Sequence, residues 1–261
     1  MHSKDVDTLL AKEHTFERLD GNRVMKKASL IVVCLGIGAM LSWSVSRSQQ
    51  PSTHDDPQQL AMTGQQKEHS RLYQSYKGIG DLRRLAEEST GDVEVLTGAG
   101  QQIFYSQGGP TDSETFLNRE GAKADAVVMG TVKSQQSFLT AEGTFVFTDY
   151  DFVVDEVLKN NAILPLVSSE TIVVTRPGGS LQLAGHTVRA LDESLQPLEK
   201  AHSYLLFLNY ISATGGYEAF NPHGSFKINL NRAIKLTSEH LPAQLESGFD
   251  VSFARTSLRK R

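Results

Sequence analysis

Three features of the chain predict a mainly β fold, closed into a small antiparallel barrel with short flanking helices and preceded by one transmembrane helix. Seven runs rich in β-branched and aromatic residues fall between residues 126 and 230. Eleven of the twenty aromatic residues lie between Phe138 and Phe226, which assigns them to a single core. One membrane-length uncharged stretch, residues 28–45, stands ahead of everything else.

The runs are 126–132 (AVVMGTV), 144–158 (TFVFTDYDFVVDEVL), 171–175 (TIVVT), 181–190 (LQLAGHTVRA), 204–211 (YLLFLNYI), 217–220 (YEAF) and 225–230 (SFKINL). Gly178 and Gly179 join the third run to the fourth, and Gly215 and Gly216 join the fifth to the sixth, at positions where a positive φ costs glycine little. A meander is therefore expected. Phe145 and Phe147 share a face by period two, whereas Tyr150, Phe152 and Val154 continue with the opposite parity. One extra residue would account for that, so a β-bulge is expected near Thr148 and Asp149. Long, bent strands of this kind suit a closed barrel better than a flat sheet.

Ahead of the strands, Asp81 and Asp112 each precede good helix formers, predicting helices over 81–88 and 112–120. Two strand fragments, Val93 to Leu96 and Ile103 to Tyr105, flank Gly98 and Gly100 and suggest a hairpin. The implied organisation is a cytoplasmic stub (1–27), a transmembrane anchor or signal segment (28–46), a flexible linker (47–68), a mixed helical segment (69–123), the barrel (124–232) and a tail with a short helix (233–261). Residues 47–68 are rich in Gln, Ser, Pro and Asp and cannot repay the entropy of folding.

The stretch 28–45 as a helix spans about 27 Å, close to the hydrocarbon thickness of a bilayer. Arg23, Lys26 and Lys27 precede it and only Arg47 follows closely, which places the N-terminus in the cytoplasm and the bulk of the chain outside. The alternative is a signal peptide starting at Met25 and cleaved near Ser46, leaving a secreted or periplasmic protein. Both alternatives export the same domain. The lone cysteine, Cys34, lies inside the apolar stretch, so disulfides within the chain, cysteine zinc sites and CxxC redox chemistry are excluded. A net charge of −4 argues against a nucleic-acid partner.

The sequence ADAVVMGTV (124–132), the strand ending TDYDFVVDEVLKN (148–160), the hairpin IVVTRPGGSLQLAG (172–185), the strand SYLLFLNY (203–210) and the closing GYEAFNPHGSFKIN (216–229) resemble an exported OB-type barrel. The arrangement is similar to netrin-like modules and the N-domains of tissue inhibitors of metalloproteinases, over about 110 of the 261 residues. Those inhibitors use an N-terminal cysteine that is missing here, so no inhibitory residue carries over. The resemblance implies a barrel presenting loops and one open face to a partner.

No GxSxG elbow, phosphate-binding loop or GxGxxG after a strand is present, and no cofactor is implied. Asp149, Asp151, Asp155 and Glu156 lie along one strand and could bind calcium or, in an envelope hydrolase, act as acid and base; the simpler reading is a solvated face. His186, His202 and His223 lack the spacing of a local zinc motif. Arg176, Tyr210, Tyr217 and His223, on the turns around Gly178 and Gly215 and in the Asn-Pro-His-Gly stretch, are the expected contacts for a protein or peptide partner in the cell envelope. The composite expectation is a membrane-anchored, non-catalytic binding module, with an envelope hydrolase or a structural spacer as alternatives.

Overall fold

Each of the first helices begins where a side chain caps it. In the computed structural model, which describes residues 62–76, 80–97, 112–192, 194–219, 222–236 and 246–259, α1 (Gly64–Leu72) starts at a capping box. The Thr63 hydroxyl accepts from the Gln66 amide at 3.3 Å, and the Gln66 side chain accepts from the Thr63 amide at 2.8 Å. Asp81 caps α2 (Leu82–Glu88), strand β1 (Val93–Thr97) follows, and Asp112 caps α3 (Ser113–Lys123). Helix α1 begins inside the stretch that composition alone marks as linker. The second strand fragment expected near 103–105 lies outside the described residues, as does the whole apolar stretch 28–45. Among the described residues no helix is long and apolar enough to cross a membrane.

The remaining order is β2 (Ala126–Leu139), β3 (Val146–Lys159), β4 (Thr171–Pro177), β5 (Gly179–Leu183), β6 (His186–Asp192), β7 (Ser203–Ile211), β8 (Gly216–Glu218), a 3-10 turn at Pro222–Gly224, β9 (Ser225–Asn229), β10 (Arg232–Lys235), β11 (Phe249–Asp250) and α4 (Val251–Arg259). Every described residue belongs to one compact unit. The fold is mainly β. The larger sheet runs β11-β10-β9-β7-β2-β3-β4-β8, and β8 also pairs with β7, so the pairings β2–β3–β4–β8–β7 return to β2. All of these are antiparallel except β4 with β8.

The expected meander does not hold throughout, since β9 pairs with β7 and not with β8. Residues 181–190 are two strands joined at Ala184 and Gly185, and they leave the larger sheet to form a second one of order β1-β6-β5, with β1 parallel to β6. Gly178 and Gly179 therefore turn the chain from one sheet into the other. Both have positive φ, 88° and 145°, and a Cβ on Gly179 would collide with the hydroxyls of Thr148 and Ser137.

The expected bulge at Thr148 and Asp149 is also corrected, because both residues pair in regular register with Ser137 and Gln136. The register shifts lie elsewhere, leaving Leu158 and Asp155 of β3 and Lys133 of β2 without register partners. The parity change has a different cause. At its start β3 buries Phe147 against Tyr73, Leu82 and Phe138, and further on it buries Tyr150, Phe152 and Val154 from its opposite face against Val128, Ile172, Tyr204 and Leu206. One regular strand thus passes between two cores that lie on opposite sides of it. A third cluster packs Val127, Met129, Leu205 and Phe207 under α3 and α4 through Phe116, Leu117 and Leu258.

Gly130 sits beside one of these irregularities, and a Cβ there would strike the Val153 carbonyl oxygen and the ring of Phe152. Gly130→Ala should destabilise the protein by about 1–3 kcal/mol, the cost of overpacking a core. Gly91→Ala, where a Cβ meets nothing, should stay within roughly 0.5 kcal/mol. Urea denaturation of both variants provides the comparison.

Candidate functional site

Strand register places polar side chains in rows on the outward face of β2, β3, β4 and β8. Ser134, Asp151 and Val173 are partners in one row; Gln136, Asp149, Thr175 and Glu218 are partners in the next. Helix α1 lies over the second row and leaves the first open. Between them is a groove of about 370 Å³ lined by Gln65 and Gln66 of α1, Ser134, Gln135 and Gln136 of β2, Asp149 and Asp151 of β3, with Val173 and Phe138 below. Its walls are amides, a hydroxyl and carboxylates.

What keeps the groove open is the way α1 is fastened. The His69 ring is fully buried; its Nδ1 lies 2.9 Å from Asp149 Oδ1 and its Nε2 lies 3.1 Å from Thr214 Oγ1. With the carboxylate as acceptor, the ring donates from Nδ1, and Nε2 shares a hydrogen bond with the Thr214 hydroxyl. Gly216 carries no side chain at the point where its Cα approaches this pair, and its N–H donates to the Thr214 hydroxyl at 3.2 Å. The next residue, Ser70, accepts through its hydroxyl from the Ala141 amide at 2.8 Å, and one turn beyond His69 the Tyr73 ring stacks on Phe147 with centroids 5.7 Å apart. The Tyr73 hydroxyl reaches Thr175 at 3.4 Å.

A carboxylate, an imidazole and a hydroxyl in this order is also the arrangement of nucleophilic triads. Here the ring has no exposed edge, and the nearest backbone N–H points at the hydroxyl instead of at a place where an oxyanion would form. The arrangement is a strap that ties α1 to β3 and to the turn after β7.

Glu218, in the row beneath α1, is the carboxyl whose proton affinity is altered most. Burial pushes it up from its ordinary 4.5 to about 7, and the nearby His69 offsets only part of that. The carboxylates expected to act together do not converge. Asp149 is held by His69, Asp151 contacts the Ser134 hydroxyl, Asp155 accepts from Thr131 at 3.2 Å, and Glu156 pairs with Arg255 at 2.9 Å and Arg259 at 2.5 Å. Among the described residues no group of three or more His, Cys, Asp and Glu side chains is placed to hold a metal ion.

The four expected contact residues are placed differently from one another. Arg176, read as a cation at a strand end, is fully buried; its Nη1 donates to Ser225 Oγ at 2.9 Å while Nε has no hydrogen-bond partner among the described residues. Burial holds this guanidinium below its ordinary proton affinity, and the surrounding phenols of Tyr150, Tyr73 and Tyr204 offset part of the shift. Tyr217 is fully buried as well, with its hydroxyl 3.2 Å from Asn161 Nδ2. Tyr210 is half-buried and packs on Tyr217 with centroids 5.5 Å apart. His223 is buried edge-on to Phe116, and burial lowers its pKa to about 4. Only Tyr210 among these keeps an accessible side chain.

Of the residues that build the groove and its strap, the sequence points to Asp149 and Asp151 but not to Gln65, Gln66, His69 or Thr214. The capping signal at Thr63 and Gln66 was legible, but it lay in a stretch whose composition reads as linker. No protein-family model matches the chain, and a search of curated proteins finds no match.

His69→Ala removes one partner from Asp149 and one from Thr214, so stability should fall by about 1–3 kcal/mol. Hydrogen exchange should accelerate over 63–76 while the larger sheet keeps its protection; equal acceleration in β7 would sink the strap. A carboxyl with a raised pKa in the folded state binds its proton more tightly than in the unfolded chain, so stability falls as pH rises from 4.5 to about 7. His223 acts in the opposite sense between 4 and 6.5. The difference between wild type and Glu218→Gln cancels His223 and isolates the glutamate. The glutamine variant should gain up to about 3 kcal/mol relative to wild type between pH 4.5 and 8.

Proposed function

We propose that the chain is a membrane-anchored, extracytoplasmic binding module whose OB-type barrel captures a protein or peptide partner in the groove beside α1. The barrel reading is supported by the ring of pairings β2–β3–β4–β8–β7, with its single parallel pairing between β4 and β8. The likeness to netrin-like modules and inhibitor N-domains belongs to this reading too. The anchor reading rests on the uncharged stretch 28–45 and on the basic residues ahead of it.

The observation that carries the binding role is the polar groove of about 370 Å³ beside α1. Its chemistry favours a peptide. Beyond Thr131, β2 has no strand partner on its β7 side among the described residues, so Lys133 to Gln136 form an open edge next to the groove. An extended segment can pair along such an edge and set alternate side chains between Asp151 and the glutamines. The burial of Arg176, Tyr217 and His223 moves the expected contacts from the glycine turns to this groove.

A photo-reactive residue placed at Gln135 of the full-length protein should cross-link a partner in living cells, and Asp151→Lys should abolish the adduct. The same residue at Gln182, exposed on β5, should give none. Equal adducts at both positions would defeat the groove as the binding site.

A further inference from the structure

The loop between β3 and β4 exposes aliphatic side chains that no other described part of the fold matches. Residues 160–169 (NNAILPLVSS) contain no charge, and the last residue of the loop, Glu170, accepts from the Val167 amide at 3.2 Å. Ile163, Leu164 and Val167 are 75%, 42% and 62% exposed, whereas the other exposed large aliphatics, Leu72, Leu96, Leu230 and Ile234, stand on separate elements. The loop is also held in shape. Asn160 brackets Leu166 from both sides, donating to its carbonyl at 3.0 Å and accepting from its amide at 2.7 Å. The Asn161 side chain accepts from the Ile163 amide at 2.9 Å, and the Tyr217 hydroxyl donates to the Leu164 carbonyl at 3.3 Å. Leu166, 3% exposed, anchors the loop in the core, so the fold presents the three aliphatics outward instead of letting them collapse inward.

We propose that this loop docks on a lipid surface, dipping Ile163, Leu164 and Val167 into the bilayer to which the chain is anchored. This rests on the membrane-anchored reading given above. Two observations choose lipid over a protein. Three side chains on one loop offer on the order of a few hundred Å² of apolar surface, well short of the roughly 800 Å² per partner of a stable protein interface. A tethered module needs far less, because the tether supplies the effective concentration. Sixteen residues, 46–61, separate the uncharged stretch from Met62, and they can reach at most about 55 Å. That bound keeps the domain close to the membrane. Tyr210, half-buried beside Tyr217, is the kind of side chain that settles at the water interface. With no basic residue in the loop, the contact is apolar and should depend little on salt.

The test uses the full chain reconstituted in phosphatidylcholine vesicles, some carrying brominated acyl chains. Trp43 is the only tryptophan, so the wild type reports on the anchor alone. Ile163→Trp in a Trp43→Phe background reports on the loop, and Val167→Trp serves as a second reporter should the first fail to fold. Docking about 5–10 Å deep should shift the emission of the loop reporter to the blue. It should also cost that emission more intensity with bromines at shallow chain positions than at deep ones, equally at low and high salt. Quenching of Trp43 without quenching of either loop reporter overturns the docking and leaves the anchor intact. If Trp43 itself escapes quenching, the anchored reading fails and the docking with it. A loop tryptophan shielded from iodide but untouched by lipid bromines points to a protein or a second copy on the loop, and overturns the lipid assignment.

Discussion

Strand β7 pairs with both β2 and β8, and most of the molecule follows from that double commitment. A strand with partners on both edges cannot slide without breaking two ladders, and a one-residue slip would turn every buried side chain to the wrong face. Tyr204, Leu206 and Leu208 therefore face one core while Leu205 and Phe207 face another. The neighbouring β2 inherits the same division, with Ala126 and Val128 on one side and Val127 and Met129 on the other. Continuous apolar runs such as AVVM and YLLFL are what two-sided burial requires.

The same registration sets which polar residues come together outside. Asp149, Thr175 and Glu218 come from three strands far apart in the chain and form one row only because β3, β4 and β8 are in register. Helix α1 has little apolar surface of its own beyond Tyr73, so its seat on that row depends on directional contacts. His69 makes two of them at once, to a carboxylate and to a hydroxyl. Burying an imidazole between two such partners leaves neither ring nitrogen unpaired, and this is the condition under which a polar side chain can be enclosed at small cost. The raised proton affinity of Glu218 is the residual cost of covering a carboxyl that has no such partners among the described residues.

Much of the fold could be read from residues in order. The strands at 126, 171, 204 and 225 and the helices behind Asp81 and Asp112 were legible because hydrophobic period and capping chemistry are local signals. Two features misled. The parity change in β3 reads locally as an extra residue, but it records a change in which face is covered, and nothing within the strand says what lies beside it. The run at 181–190 contains Ala184 and Gly185, residues compatible with a continuing strand, yet both take positive φ and turn the chain. The candidate site was less legible than the fold. Gln65, Gln66 and His69 sit in a polar stretch, and Arg176 carries a charge that sequence reasoning leaves in water.

Taken alone, the order of residues determined the mainly β character, the placement of most strands, the capped helices and the polarity of the outward rows, because each depends on neighbours within a few positions. Tertiary structure alone decided that β4 lies parallel to β8, that His69 meets Asp149 and Thr214 across 80 and 145 positions, and that Arg176 and Tyr217 are enclosed. Such pairings depend on which surfaces the paired strands leave vacant, and that is a property of the assembled sheet as a whole, absent from any single segment.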